Sequence, residues 1–451
     1  MSRLAFRNAR LIDPASGTDQ TGDLIVENGV IRDMGLNLLD GAAADGCQVV
    51  EAAGRILAPG LVDMRVALRE PGDAHKETIA SAGAAALAGG VTAMACLPNT
   101  DPVIDDPSLL SYVLSRARES TPVRVTPYGT VTKNADGREM TEMGLMLAAG
   151  AAGFTDGTRA VADSLVMRRA LSYGRTYDAL ILQHPEDPAL ADEGHMNEGL
   201  TATRLGLTGI PAAAEVILLE RDLRLVALTG GRYHAAHLST AAAVAAVRQA
   251  KAQGLAVTCD TAPHYFTLTE DAVGEYRTFA KVSPPLRGEA DRLAIIAGLA
   301  DGTIDAIASD HAPQDPDSKR VPFAIAEPGI LGLETLLSLS LALVRDGHLS
   351  LTAALAALSS HPARILGLPG GRLTRGQPAD LVLFDPDTSW RVDPDRLHSK
   401  TQNTPFEDWE LPGTVAMTAI AGNVHFNADA AADAPATGAS RDGAAATAAG
   451  R

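Results

Sequence analysis

The central part of the chain opens with Gly60-Leu61-Val62-Asp63-Met64-Arg65-Val66-Ala67-Leu68-Arg69-Glu70-Pro71-Gly72, an apolar run that passes into a charged loop. Its composition and length are those of a buried β-strand, and the Pro-Gly pair marks a turn. Seven further apolar runs follow, separated by Ala- and Leu-rich segments with helical periodicity. Eight strand–helix units in succession predict a (β/α)8 barrel of the α/β class.

The predicted barrel elements alternate along the chain. The predicted strands are Leu61–Leu68, Val91–Leu97, Val123–Tyr128, Ala151–Thr155, Leu180–Gln183, Tyr233–Ala236, Ala256–Thr261 and Asp305–Ser309. The clearest predicted helices are Lys76–Ala88, Asp163–Tyr173, Ala213–Leu228 and Thr240–Gln253. This succession assigns residues 58–371 to the barrel.

The two ends of the chain have a different pattern. Residues 1–57 and 372–426 contain short alternating apolar segments separated by turn residues such as Asn28-Gly29. This pattern is typical of β-strands, so both ends together predict one composite β-domain. Residues 427–451 are rich in Ala, Gly, Asp and Thr after Phe426, and this composition predicts a disordered tail.

Composition excludes several classes of function. The net charge is −17 and aromatic residues make up 4% of the chain, which argues against binding of nucleic acid or of acidic membranes. The apolar runs are too short to span a membrane, and residues 1–8 are too polar for a secretory signal. Three widely spaced cysteines fit a reducing environment, so we expect a cytoplasmic protein.

Polar side chains follow the predicted strands at their ends. Asp156 follows the fourth strand, His184 the fifth, His237 the sixth and Asp310 the eighth. The carboxyl ends of barrel strands meet on one face, where active sites form. Histidines with carboxylates are a ligand set that zinc prefers, so these four residues predict a metal site. Each residue alone has a structural alternative, such as a buried histidine or, for Asp310, a helix N-cap.

Ten short phrases give the chain a resemblance to the dihydroorotases that occur as separate bacterial proteins, within the amidohydrolase superfamily. The resemblance extends over about residues 4–426. The phrases that carry it are Pro59–Met64, Leu68–Gly72, Leu97–Thr100, Phe154–Asp156, Met196–Gly199, His237–Thr240, Ser283–Arg287, Ser309–Pro313, Gly329–Glu334 and Asn403–Phe406.

The resemblance implies a substrate and a reaction. Dihydroorotate is a cyclic amide with a carboxylate, and its hydrolysis gives N-carbamoyl-aspartate. Arg69 would hold the carboxylate through a bidentate pair, and Asn99 would bind the same end of the substrate. Asp310 would bind metal and act as the general base. The structural alternatives are a salt bridge for Arg69 and a turn residue for Asn99.

Four other positions complete the implied substrate site. His311 and the backbone of Pro328 and Gly329 would hold the ring. Ser283 stands where the resemblance leads us to expect asparagine, which weakens one contact with the substrate.

The departure from the family pattern is selective. In the proteins that this chain resembles, two zinc ions share a carboxylate matched by Asp156, and one ion is held by a His-x-His pair on the first strand. Here those two positions are Arg65 and Ala67. The ligands of the other ion, Asp156, His184 and His237, are present. We therefore expect one zinc ion or none.

Arg65 brings a fixed positive charge to the first strand. We expect its guanidinium to replace the lost cation in part by pairing with Asp156 or Asp310; the alternative is that Arg65 points away from the site. The pairing would lower the basicity of Asp310.

Three interpretations of function remain open. The first is a catalytically impaired homologue that assembles with aspartate transcarbamoylase, as non-catalytic relatives in the family do. The second is an active dihydroorotase that interconverts dihydroorotate and N-carbamoyl-aspartate with a single metal. The third is a cyclic amidohydrolase of altered specificity, with Arg65 binding a second anionic group. An Ala- and Leu-rich helical exterior also favours a homo-oligomer.

Overall fold

The computed structural model describes residues 3–40 and 46–429. Most of the segment predicted to be a disordered tail, residues 430–451, lies outside the described residues. No helix in the described ranges combines the length and the hydropathy that crossing a bilayer requires.

Strands and helices alternate through the middle of the chain. The strands are β1 (Arg3–Asp13), β2 (Thr18–Glu27), β3 (Val30–Gly35), β4 (Gln48–Glu51), β5 (Ile56–Pro59), β6 (Leu61–Val66), β7 (Val91–Cys96), β8 (Arg124–Pro127), β9 (Leu180–Gln183), β10 (Met196–Asn197), β11 (Gly209–Ile210), β12 (Arg232–Ala235), β13 (Val257–Thr261), β14 (Ala306–Ile307), β15 (Leu381–Arg391), β16 (Glu410–Ile420) and β17 (Asn423–Asn427). The helices are α1 (Ile79–Ala88), α2 (Pro107–Ser120), α3 (Met143–Ala148), α4 (Ser164–Thr176), α5 (Pro188–Ala191), α6 (Leu200–Leu205), α7 (Ala213–Thr229), α8 (Ala241–Ala252), α9 (Pro263–Thr267), α10 (Glu289–Ala300), α11 (Pro316–Lys319), α12 (Leu336–Arg345), α13 (Leu351–Leu355) and α14 (His361–Leu366).

One sheet contains strands from both ends of the chain. Its strand order is β17-β16-β15-β5-β1-β2-β3, and β4 pairs with β1. The β2–β3 hairpin turns at Asn28 and Gly29, which both have positive φ angles, of 52° and 81°. Two consecutive positive φ angles match the twist of paired strands and explain the Asn-Gly sequence.

The barrel is the (β/α)8 fold that the sequence predicts. Its strands pair in parallel as β6-β7-β8 and as β9-β12-β13-β14. A bridge between Val66 and His311 joins the first strand to the eighth. Several helices begin at side-chain caps; Thr78, for example, accepts from the Ser81 amide at the start of α1.

The predicted fourth strand, Ala151–Thr155, is mostly not a strand. Phe154 alone bridges to Gly129 on one side and to Ile181 on the other. The preceding Ala-Ala-Gly sequence has low β propensity and no large side chain to pack, which explains the short pairing. Phe154 is fully buried and still fixes the position of Asp156, two residues later.

Candidate active site

Arg65 lies inside the barrel and forms an ion pair with Asp310. Its Nε is 2.7 Å from Asp310 Oδ1, and the two side chains are 4% and 13% exposed. A second guanidinium nitrogen, Nη2, donates to the carbonyl of Gly157 at 3.3 Å. The expected pairing is therefore confirmed for Asp310, and the alternative that Arg65 points away is wrong.

Asp63 positions both members of this pair from the first strand. Its Oδ1 accepts from the amide of Arg65 and from the amide of Ser309, each at 3.1 Å. The second bond ties the first strand to the residue before Asp310. Asp63 is fully buried, and burial raises the pKa of its carboxyl to about 6.

The two predicted histidine ligands contact each other. His184 Nδ1 and His237 Nε2 are 2.8 Å apart, within hydrogen-bond distance. His237 Nδ1 is 3.4 Å from Asp310 Oδ2, and His184 Nε2 is 3.4 Å from Glu186 Oε1. Burial, followed by the charge of Arg65, lowers the pKa of His237 to about 4, so this imidazole is neutral at pH 7.

The charge of Asp310 is fixed by its neighbours. Burial by itself would raise the pKa of this carboxyl, but Arg65 and His237 outweigh burial and hold the pKa well below its usual range. A carboxylate with so low a pKa, and with one oxygen bound to a guanidinium, is a weak proton acceptor. The site as built therefore disfavours Asp310 as a general base.

Asp156 accepts hydrogen bonds from Thr132. Its Oδ1 accepts from the amide of Thr132 at 2.9 Å, and its Oδ2 accepts from the Thr132 hydroxyl at 2.5 Å. Burial raises the pKa of Asp156 to about 6. Both oxygens of the predicted bridging ligand are thus bound to one threonine.

These side chains do not fit the zinc ion that the resemblance implies. Among residues 3–40 and 46–429, no group of three or more His, Cys, Asp or Glu side chains could hold a metal ion. The ring nitrogens of His184 and His237 are directed at each other, and the guanidinium of Arg65 places a positive charge where a cation would need to approach Asp310. A zinc ion close enough to bind Asp310 would therefore be repelled strongly by this guanidinium in a buried site.

Arg69 and Asn99, the two residues predicted to bind the substrate carboxylate, both contact backbone groups of neighbouring loops. Arg69 has a positive φ of 59°, and its Nε donates to the carbonyl of Pro313 at 3.3 Å. Burial lowers the pKa of Arg69, with nearby carboxylates opposing the shift. The Asn99 amide group donates to the backbone carbonyl of Asp156 at 3.1 Å, and its oxygen accepts from the amide of Thr158 at 3.3 Å.

The side chain of His311 contacts Glu77 and the backbone of Gly332. Its Nε2 is 3.5 Å from Glu77 Oε2, and its Nδ1 accepts from the amide of Gly332 at 3.2 Å. Ser283 Oγ donates to Glu186 Oε1 at 3.2 Å. Glu186 thereby contacts both Ser283 and the imidazole of His184.

Pro328 and Gly329 are held by two amide side chains. The carbonyl of Pro328 accepts from Gln314 Nε2 at 2.8 Å, and the carbonyl of Gly329 accepts from Asn403 Nδ2 at 3.0 Å. The two positions are thus fixed relative to the loop that follows Asp310. Their role in binding substrate stays a prediction.

Several residues of the site were not predicted from the sequence. Thr132 and Glu186 lie in loops, and no pattern marks them as partners of Asp156 and His184. Asp63 could have been predicted, because it lies two residues before Arg65 on the first strand. Residues with this spacing point to the same face of a strand.

Two further histidines, His234 and His264, lie close to the predicted ligands His237 and Asp310. His234 Nε2 lies 2.9 Å from Asp260 Oδ2, and Asp260 Oδ1 accepts from the amide of His237 at 2.5 Å. His264 Nε2 lies 3.9 Å from Asp310 Oδ2, and neither ring nitrogen of His264 has a hydrogen-bond partner among the described residues.

Comparisons with known proteins agree with this architecture. The hydantoinase (dihydropyrimidinase) of Arthrobacter aurescens has a similar fold, with a TM-score of 0.84 and 24% identity over 94% of this chain and 96% of that one. The model of the "Amidohydrolase family" matches residues 293–426. The fold and this family model place the chain among the amidohydrolase-type barrels.

Relatives in sequence identify the family within the class of amidohydrolase-type barrels. The model described as "Dihydro-orotase-like" matches residues 54–243. The dihydroorotase of Pelobacter propionicus is 49% identical over 423 residues, which cover 94% of this chain and 99% of that protein. That of a Geobacter species is 46% identical over 425 residues, with 94% and 99% coverage. The chain belongs to the dihydroorotase family, which places it in pyrimidine biosynthesis.

Proposed function

We propose that this chain is a dihydroorotase-family protein that has lost metal-dependent hydrolysis and acts by assembling with aspartate transcarbamoylase in the cytoplasm. The buried pair between Arg65 and Asp310 carries the proposal. It places a permanent cation beside the predicted base, because a guanidinium stays protonated in proteins.

The other predicted ligands support the same conclusion. Asp156 is bound to Thr132, and His184 and His237 are bound to each other. Losing a positioned general base costs about 10²–10⁴-fold in rate, and losing the ion that activates water adds to this. The partner is inferred from the resemblance to non-catalytic relatives.

The second candidate is an active dihydroorotase with one zinc ion. Two observations favour it: the 49% identity to a protein named dihydroorotase, and the left-handed backbone of Arg69, His237 and Asp310. Strained backbone of this kind clusters at functional sites. Its substrate would be dihydroorotate or N-carbamoyl-aspartate.

One experiment separates the two candidates. Hydrolysis of dihydroorotate is measured with the purified protein and excess zinc, and bound zinc is quantified after gel filtration. We expect no turnover above background and substoichiometric zinc. Turnover of about 1 s⁻¹ or more, in the range of ordinary enzymes, would overturn the proposal in favour of the single-metal enzyme.

A matched variant tests the role of Arg65 in the same assay. The double substitution Arg65→His and Ala67→His restores the family pattern, and we expect it to raise zinc content above that of the unaltered protein.

Co-elution with aspartate transcarbamoylase from the same organism tests the partner. Separate elution of the two proteins at micromolar concentration would contradict the assembly.

A further inference from the structure

A cavity lies between the barrel and the composite β-domain, outside the candidate active site. It has a volume of about 530 Å³ and is bordered by helices α1 and α12 and by strands β15 to β17. Small-molecule sites typically have volumes of roughly 300–1,000 Å³. The cavity is thus large enough for a ligand of two or three rings.

The walls of the cavity are mainly apolar. Large apolar side chains lining it are Leu337, Trp390, Leu397, Val415 and Phe426. The indole Nε1 of Trp390 donates to Ser338 Oγ at 2.9 Å, so its polar atom is satisfied and its ring is held in place. Ordered aromatic rings favour a ligand that is itself aromatic.

Of the charged side chains around the cavity, one has no hydrogen-bond partner among the described residues. Both oxygens of Glu334 are bound to His398, at 2.7 Å to the amide and 2.8 Å to the ring. Arg391 is paired with Asp408 at 2.7 Å, and Asp393 accepts from a backbone amide. The guanidinium of Arg396, by contrast, has no partner among the described residues. An unpaired cation beside an apolar wall favours an anionic group on the ligand.

The wall of the cavity is connected to the candidate active site. Residues 397–403, which we call the strap, begin at the cavity with Leu397. Ser399 donates to Glu77, which is fully buried in the segment between β6 and α1. At the other end of the strap, Asn403 Nδ2 donates to the carbonyl of Ala312 at 3.1 Å, two residues after the predicted base.

We propose that this cavity binds a small aromatic anion, and that the bound ligand stabilises the strap and the loop after the eighth strand. The proposal does not depend on the proposed function, because none of its residues is a predicted metal ligand. It adds a ligand site to a chain whose barrel site no longer fits a metal ion.

The test uses 8-anilinonaphthalene-1-sulfonate, an aromatic sulfonate, as the probe with the full-length protein. We expect saturable binding in a fluorescence titration with energy transfer from tryptophan. Arg396→Gln removes the exposed cation and should weaken binding about tenfold, the effect of losing one charge-assisted hydrogen bond. The neutral analogue N-phenyl-1-naphthylamine should bind both proteins equally.

A matched pair of variants locates the site. Ala88→Phe fills this cavity and should abolish saturable binding, whereas Ala227→Phe places the same ring in a different cavity, between α7 and α8, and should leave binding unchanged. Far-UV circular dichroism and the urea midpoint establish that each variant folds. Binding that neither Arg396→Gln nor Ala88→Phe weakens would overturn the proposal.

Hydrogen exchange tests the connection to the active site. With the probe bound, amide exchange should slow in the strap and in residues 312–314 relative to the free protein. Probe binding with unchanged exchange in these segments would refute the stabilisation of the loop, and the Ala88→Phe variant provides the unliganded reference.

Discussion

At the scale of the residue, one arginine changes the chemistry of the barrel site. A zinc ion can exchange and can activate water, whereas the guanidinium of Arg65 is fixed by its own chain and can do neither. It neutralises the carboxylate of Asp310 and presents no open coordination position. The residue therefore preserves charge balance in the site without preserving the metal's chemistry.

A double-mutant cycle tests this pair. Arg65→Met should lower the free energy of unfolding by about 3–5 kcal/mol, because Asp310 is left as an uncompensated buried charge. Adding Asp310→Asn should recover much of the loss. The control pair, Arg248 and Asp301, has the same 2.7 Å separation but is about half exposed, so its coupling should stay below about 1 kcal/mol. Equal coupling in the two cycles, measured by urea unfolding, would contradict the stabilising role of the buried pair.

A glycine beside the site has no room for a side chain. Gly157 has a φ of 73°, and a Cβ there would lie 1.5 Å from Asn99 Oδ1. Gly254 has a φ of 74° with nothing within 4 Å of that position. Gly254→Ala should therefore cost only the left-handed strain of about 1–2 kcal/mol. Gly157→Ala should cost more, because Asn99 must also give up its bonds to the backbone; equal urea midpoints for the two variants would contradict this prediction.

At the scale of the element, a titratable contact joins the strap to Glu334, two residues before the start of α12. The hydrogen bond from Glu334 raises the pKa of His398 above its ordinary value, against an opposing effect of burial. Because the folded state favours the protonated form of His398, this contact stabilises the fold below about pH 6.5, the pKa of an unfolded histidine. The contribution is lost as pH rises through the folded-state pKa of His398.

The expected result is a stability difference that depends on pH. The difference in free energy of unfolding between the unaltered protein and His398→Asn should shrink between pH 6 and pH 8.5. His425 is the control, because burial lowers its pKa and the corresponding difference for His425→Asn should increase over the lower part of that range. Urea unfolding at several pH values measures both, and a difference for His398 that grows with pH would contradict the contact.

The elements also show how far the sequence carries. Strand positions such as Leu180–Gln183 could be predicted, because an apolar run between turn residues has few other solutions in an α/β chain. The grouping of the polar strand-end residues could also be predicted, since the carboxyl ends of barrel strands lie on one face. The hydrogen bonds of Asp156 could not be predicted, because they come from Thr132, a loop residue brought near by the barrel. Sequence spacing contains no information about such a contact.

At the scale of the whole molecule, the barrel and the composite β-domain share a continuous structure. Strand β5 pairs with β1 and β15 and leads into β6 after a single residue, Gly60. Across the interface, Thr418 Oγ1 donates to the carbonyl of Leu87 at 2.7 Å, and Gly90 lies against Val382. Two units joined through one sheet and a buried interface should unfold together.

The positions of the tryptophans make this testable. Both tryptophans, Trp390 and Trp409, are in the C-terminal part of the chain, so their fluorescence reports on the β-domain, whereas circular dichroism at 222 nm reports mainly on the barrel helices. The two urea transitions should coincide. Val382→Ala removes buried methyl groups at the interface and should shift both transitions equally, by about 1–3 kcal/mol. A fluorescence transition at lower urea concentration than the circular dichroism transition would mean that the β-domain unfolds independently. The strap between the β-domain and the barrel would then be released while the barrel is still folded.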